Sequence, residues 1–137
     1  PSRPGAELAA ICGNIEAELA ELSPAEAAEY LASYGLPDSG LHRLINAPYR
    51  VLGLMSFLTA GETEVRAWTI PINSTAVKAA GAIHSDFEKK FIRAEVVNWQ
   101  ALVEHNGYAG VREKGLLRLE GKDYIVKDGD VLVIRHG

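Results

Sequence analysis

The chain has 137 residues, 47% apolar and 23% charged, with a net charge of −4, a globular composition that excludes wholesale disorder. No apolar run approaches the ~18 residues of a membrane span, and no charged-then-apolar signal segment opens the chain, so a cytoplasmic protein with no membrane partner is expected. The acidity is local: residues 1–53 hold seven acids and three bases, whereas residues 54–137 hold eleven of each. The second part therefore does not repel polyanions, but it lacks the broad basic field of a nucleic-acid reader, and no DNA sequence readout is expected. The single Cys12 cannot form an internal disulfide, as suits a reducing compartment.

In chain order, Ala6 to Ile11 is a short apolar run, Cys12-Gly13-Asn14 is a turn, and Ile15, Leu19 and Leu22 mark one face of a short acidic helix. So small a piece cannot bury both its apolar faces; it expects a larger sheet, or else it packs as a terminal helix on the connector. That connector is two helices. Ser23-Pro24-Ala25-Glu26 has capping-box spacing with Pro at the first helical position, predicting a helix through Tyr34 that Gly35 ends. A second helix is predicted from Asp38 or Ser39, with Leu41, Leu44, Ile45 and Leu52 on its apolar side and Pro48 as a kink.

Strand signals begin at Leu54. Leu54 to Thr59 and Thr63 to Ile70 flank a Gly-containing turn and predict a hairpin that Pro71 ends. The chain is organised around the next stretch. Ser74 to Ile83 spaces Ala76, Ala79, Ala80 and Ile83 as the buried stripe of a short helix. A polar turn, His84 to Lys90, leads to a strand at Phe91 to Val97 with Ile92, Ala94 and Val96 facing one way and Arg93 and Glu95 the other. Asn98 is placed to cap a helix through Asn106, and Gly107 to Gly115 reads as a loop. Three more strands are predicted at Leu116 to Glu120, Tyr124 to Lys127 and Val131 to Arg135, the last two joined by an Asp128-Gly129 hairpin turn. The result is an α+β fold: a mixed sheet curled around one helix, as in a β-grasp.

WTIP at 68–71, the Ala-rich helix, IHSDFEKKFIRAE at 83–95 and EGKDYIVKDGD at 120–130 together resemble the C-terminal TGS domain of the YchF family of Obg-like P-loop ATPases, over residues 41–134 with nearly constant spacing. The resemblance implies a ubiquitin-like β-grasp TGS domain at 54–137, a helical connector at 23–53, and at 1–22 the last strand, base-contacting loop and final helix of a nucleotide-binding domain. Cys12, Gly13 and Asn14 would then contact a nucleotide base through their main chain. It further implies a ribosome-associated parent protein that hydrolyses ATP or GTP with Mg2+. This part of it would contact the ribosome or RNA, or its own ATPase domain. The family usually closes on Phe-Asn-Val where this chain has Arg135, His136 and Gly137, so no role of those last residues is carried over. No GxxxxGK[ST] loop occurs in the 137 residues, so nothing here is placed to hold a β/γ-phosphate and its magnesium, and the chain alone is expected to be no enzyme.

The remaining chemistry is sparse. His42, His84, His105 and His136 show no metal-ligand spacing, and no metal or cofactor is expected in this chain. His84 is placed to cap the end of the central helix. Asp86 with Glu88, and Asp128 with Asp130, lack the partners that acid/base catalysis or calcium binding needs and read as turn residues, and no catalytic residue is assigned. The candidate contacts to RNA or the ribosome are Lys78, Lys89, Lys90 and Arg93, which can form a local positive patch or a solvated surface interleaved with Asp86, Glu88 and Glu95. Trp68, Phe91 and Tyr124 are either stacking surfaces or core. Arg118, Lys122 and Lys127 form a second cationic group.

Overall fold

Three helices come first in the computed structural model, which describes residues 5–137: α1 (Gly13–Leu19), α2 (Pro24–Ser33) and α3 (Gly40–Leu52). Residues 1–4, the opening of the expected 1–22 piece, lie outside the described residues. At the start of α2 the Glu26 carboxylate accepts from the Ser23 N–H at 2.9 Å and from its hydroxyl at 2.5 Å, and Gly35 leaves the helix at φ 65°. Ser39 caps α3, accepting from the His42 N–H at 3.1 Å. Glu16 on α1 adds a carboxylate to the same helix start, accepting from the Gly40 N–H at 2.5 Å and the Leu41 N–H at 3.3 Å.

The run Ala6 to Ile11 pairs with no strand among the described residues. On α3 the inward residues are Gly40 and Ala47, while Leu41, Leu44, Ile45 and Leu52 are 49–67% exposed. The small residues allow close approach: a Cβ on Gly40 would lie 2.7 Å from both the Glu16 carboxylate and Ile11. The stripe of larger residues faces outward.

The chain divides into two compact units, Pro1–Gly53 and Leu54–Gly137. The second is built on β1 (Leu54–Ala60), β2 (Val65–Pro71), α4 (Ala76–Ile83), α5 (Ser85–Lys89), β3 (Phe91–Asn98), α6 (Trp99–Glu104), α7 (Tyr108–Glu113), β4 (Arg118–Glu120) and β5 (Asp130–His136). Strand order is β2-β1-β5-β3-β4. β1 and β2 form the expected antiparallel hairpin, β1 and β5 are parallel at Leu58↔Val131, and β3 runs antiparallel to both β5 and β4. α4 lies on one face with Ala76, Ala79 and Ala80 fully buried, and their small side chains let the helix sit close to Phe57, Ala94, Val96 and Leu132. On the other face Val97 and Val131 pack with Val111 of α7 and with Leu102 and Tyr108. This α+β arrangement, a mixed five-stranded sheet around a central helix, is that of a β-grasp.

Several local expectations are corrected. The polar turn 84–90 contains α5. A register shift between Phe91 and Arg93 turns Phe91 into the core and leaves Ile92 56% exposed, so the core face of β3 is Phe91, Ala94 and Val96. The expected loop 107–115 holds α7, framed by Gly107 at φ 102° and Gly115 at φ 68° and anchored by buried Val111. Tyr124 to Lys127 is not a strand. It makes one bridge, Ile125 to Thr75, with the Ala76 N–H donating to the Tyr124 carbonyl and the Val126 N–H to that of Ser74. Asp128-Gly129 accordingly forms no hairpin. The Asp128 carboxylate accepts from the Ser56 N–H at 2.9 Å and the Gly129 N–H donates to the Ser56 carbonyl, which fastens the turn to β1.

Candidate functional site

The four candidate contacts occupy different sides of the sheet. Lys78, on α4, is paired with Glu88 of α5 at 2.9 Å. Arg93 alternates with buried Ala94 and so projects from the face opposite α4, directly across from Arg135. Like charges so placed repel. Glu95 offsets them, its carboxylate accepting from Arg135 at 2.9 and 3.2 Å and lying 3.8 Å from Arg112. Glu95, Arg112 and Arg135 line a cavity of about 490 Å³ with Glu62, Tyr108 and Val133. Its two cations and two acids balance, so it exerts little pull on an anion. Burial, and secondarily Glu95, raise the Tyr108 phenol, whose hydroxyl donates to the Ala60 carbonyl at 3.0 Å.

Lys89 and Lys90 stand apart from this cluster. Lys90 lines a second cavity, of about 480 Å³, with Ile83, His84, Asp86, Phe87, His136 and Gly137. Phe87 and His136 stack there, ring centroids 4.4 Å apart and planes 19° from parallel. His136 was legible only as an isolated histidine, but β5 has period-two alternation. Counting back from His136 through Ile134 to buried Leu132 puts its ring on the α4 face, beside Phe91 in the ladder. His84 ends α4 through its backbone N–H, which donates to the Ala80 carbonyl at 3.0 Å, and not through its ring as expected. Its Nδ1 accepts from the Asp86 N–H at 3.1 Å and caps the start of α5, a helix that the residue pattern alone did not announce.

The proposed stacking residues are otherwise engaged. Phe91 is 5% exposed and belongs to the core. Trp68 donates from Nε1 to Thr59 Oγ1 at 2.9 Å and carries the Arg66 guanidinium 4.2 Å above its ring. Tyr124 lies under Arg118 and donates to Asp130 at 2.7 Å; burial and that bond raise its phenol. Asp130, 2% exposed, also accepts from the Lys127 N–H at 2.9 Å and so holds the 124–130 segment shut. Among the described residues no three His, Cys, Asp or Glu side chains stand together as a metal site, and no helix is long and apolar enough to cross a membrane. Cys12 is an exposed free thiol preceding α1, whose first residues are Gly13 and Asn14, and its carbonyl accepts from the Glu16 N–H.

These features define an α+β domain of β-grasp type, tied together by buried small residues and one buried carboxylate. The chain belongs to the YchF family: residues 54–137 match YchF-GTPase_C, described as "Protein of unknown function (DUF933)". It is 52% identical over 131 residues to a protein of Pasteurella multocida named "Ribosome-binding ATPase YchF", covering 96% of this chain and 36% of that protein. A Bacillus subtilis protein of the same name is 50% identical over 130 residues, covering 95% of this chain and 36% of that protein. Among solved structures, the YchF GTPase of Schizosaccharomyces pombe matches with a TM-score of 0.72 and 33% identity, over 91% of this chain and 33% of that one. The chain thus spans about a third of the length of these relatives.

Proposed function

We propose that residues 54–137 are a TGS module through which a cytoplasmic, nucleotide-hydrolysing protein of the YchF family contacts RNA of the ribosome. The observation that carries the reading is the 52% identity, across nearly the whole chain, to a protein named as a ribosome-binding ATPase. On this reading residues 1–22 are the end of a nucleotide-binding domain, with Cys12, Gly13 and Asn14 beside the base, and 23–53 are the connector. ATP or GTP and Mg2+ belong to the longer protein, since the chain has no GxxxxGK[ST] sequence. Lys78, Lys89, Lys90 and Arg93 are the proposed contacts. Reversing all four should weaken ribosome binding and flatten its dependence on salt, because each phosphate contact releases counterions. An unchanged salt slope in the variant would remove these residues from the contact.

A second reading, docking on the protein's own ATPase domain, is favoured by the exposed stripe Leu41, Leu44, Ile45 and Leu52. Binding to ribosomes that survives nuclease and moderate salt would support a protein contact over an RNA contact.

A further inference from the structure

The corner between α5 and the end of β5 combines three features. The first is a stacking platform: Phe87 is half-buried and His136 exposed, so the column they form ends on a ring face open to solvent. The second is unpaired positive charge: Lys89 and Lys90 are adjacent, exposed and without an ion-pair partner among the described residues, whereas Lys78 is neutralised by Glu88, and Asp86 is the one acidic side chain in the cavity lining. The third is a fixed donor: because His84 Nδ1 accepts from the Asp86 N–H, the neutral ring carries its proton on Nε2. All but Lys89 line the cavity of about 480 Å³, within the range of small-ligand sites.

Resting on the ribosome-contact reading, we propose that this corner seats single-stranded RNA, with one base stacked on the open face of His136 and the flanking phosphates against Lys89 and Lys90. The lysine side receives the singly charged phosphodiesters. The His84 and Asp86 side, with one donor and one carboxylate, repels phosphate and suits the edge of a base, whose amino group donates to Asp86 and whose ring acceptor takes the His84 proton. A strand supplies a phosphate for each lysine, while a mononucleotide brings one dianion that would also approach Asp86. Stacking itself tolerates any base, whereas the contacts to Asp86 and His84 favour adenine or cytosine, which carry an amino group beside a ring acceptor.

The test titrates the 137-residue chain with a single-stranded oligoadenylate of about eight nucleotides, within the span of one small-domain site, followed by anisotropy and by the ring resonances of His136. Adenosine monophosphate serves in a parallel arm. The expected result is an upfield shift of the His136 ring protons on addition of the oligonucleotide. His136→Ala should weaken binding about tenfold or more, and His136→Phe should restore it. Lys89→Gln with Lys90→Gln should lower the salt slope by about 1.4, at ~0.7 for each lost phosphate contact on a single strand. Arg112→Gln, on the other face, should change nothing, and unaltered melting of each variant shows that it is folded. Equal affinity for the mononucleotide, or wild-type affinity in His136→Ala, overturns the site. If the oligonucleotide fails to bind while the chain still pellets with ribosomes, the RNA seat is wrong and the ribosome reading survives. If neither binds, both fall.

Discussion

Gly110→Ala should destabilise the second unit, although general helix propensity says the opposite. In a helix interior Ala is favoured over Gly by about 1 kcal/mol. At Gly110, however, a Cβ would lie 1.8 Å from the His105 carbonyl oxygen and 2.9 Å from its carbon. These are backbone atoms and cannot rotate away, so the corner joining α6 to α7 must open. That shifts Val111, which is fully buried against Val97 and Val131. Overpacking of a close-packed site costs typically ~1–3 kcal/mol, and a clash with backbone belongs at the upper end. Subtracting the propensity gain leaves a net loss of about 2 kcal/mol, or roughly 8–16 °C in melting temperature for a unit of this size. Thermal unfolding followed by near-ultraviolet circular dichroism measures it. A melting temperature equal to or above that of the wild type would refute both the close α6–α7 corner and the helical assignment of 108–113.

Phe57→Ala, at a fully buried side chain on the α4 face, should cost about 3–5 kcal/mol in urea unfolding. Tyr124→Phe removes its hydrogen bond to buried Asp130 and the exposed one it accepts from Arg118 and should cost about 1 kcal/mol, whereas Asp130→Ala leaves the Lys127 N–H unpaired and takes the acceptor from the Tyr124 hydroxyl and should cost about 2–4 kcal/mol; equal losses would contradict the shared acceptor. Replacing Leu41, Leu44 and Ile45 together by Ser should change the stability of this chain by less than ~0.5 kcal/mol per site, because all three are exposed. Arg50 holds the Glu7 carboxyl below its ordinary range, and hydrogen bonds from Ser23 do the same for Glu26. Both carboxylates are depressed on folding, so their stabilisation is present above the unfolded carboxylate pKa and is lost as pH falls through the folded values. Helical ellipticity of the first unit should therefore decline on acidification below about pH 4.5, and an unchanged signal at pH 2–3, below the ordinary carboxylate range of ~4, would contradict it.

The second unit was legible in sequence where signals were short-range and periodic. The Ala76, Ala79, Ala80 stripe, the β1–β2 hairpin and the Asn98 cap all arise from residues that carry their own instruction. What was lost depended on tertiary partners. Glycines at 107 and 115 spelled loop because each takes a positive φ, yet they bracket a helix that buried Val111 makes worthwhile. Asp128-Gly129 spelled hairpin, but β1 holds the turn through Ser56, and the 124–127 segment does not pair as a strand. On α3 the apolar stripe was legible, but the buried side was not, since Gly40 and Ala47 are too small to announce the close contact they make. The site shows the same division. Lys89 and Lys90 were visible as charges, while the Phe87–His136 stack spans about fifty residues of sequence and needs the β3–β5 register to appear.

The central claim is that this unit of the family carries a ribosome contact by itself. Co-sedimentation of the 137-residue chain with purified ribosomes at low and moderate salt tests it most directly. The account predicts pelleting at low salt that falls steeply as salt rises. A folded chain that stays in the supernatant at both salt concentrations would contradict it and point to the part of the longer relatives that this chain does not match.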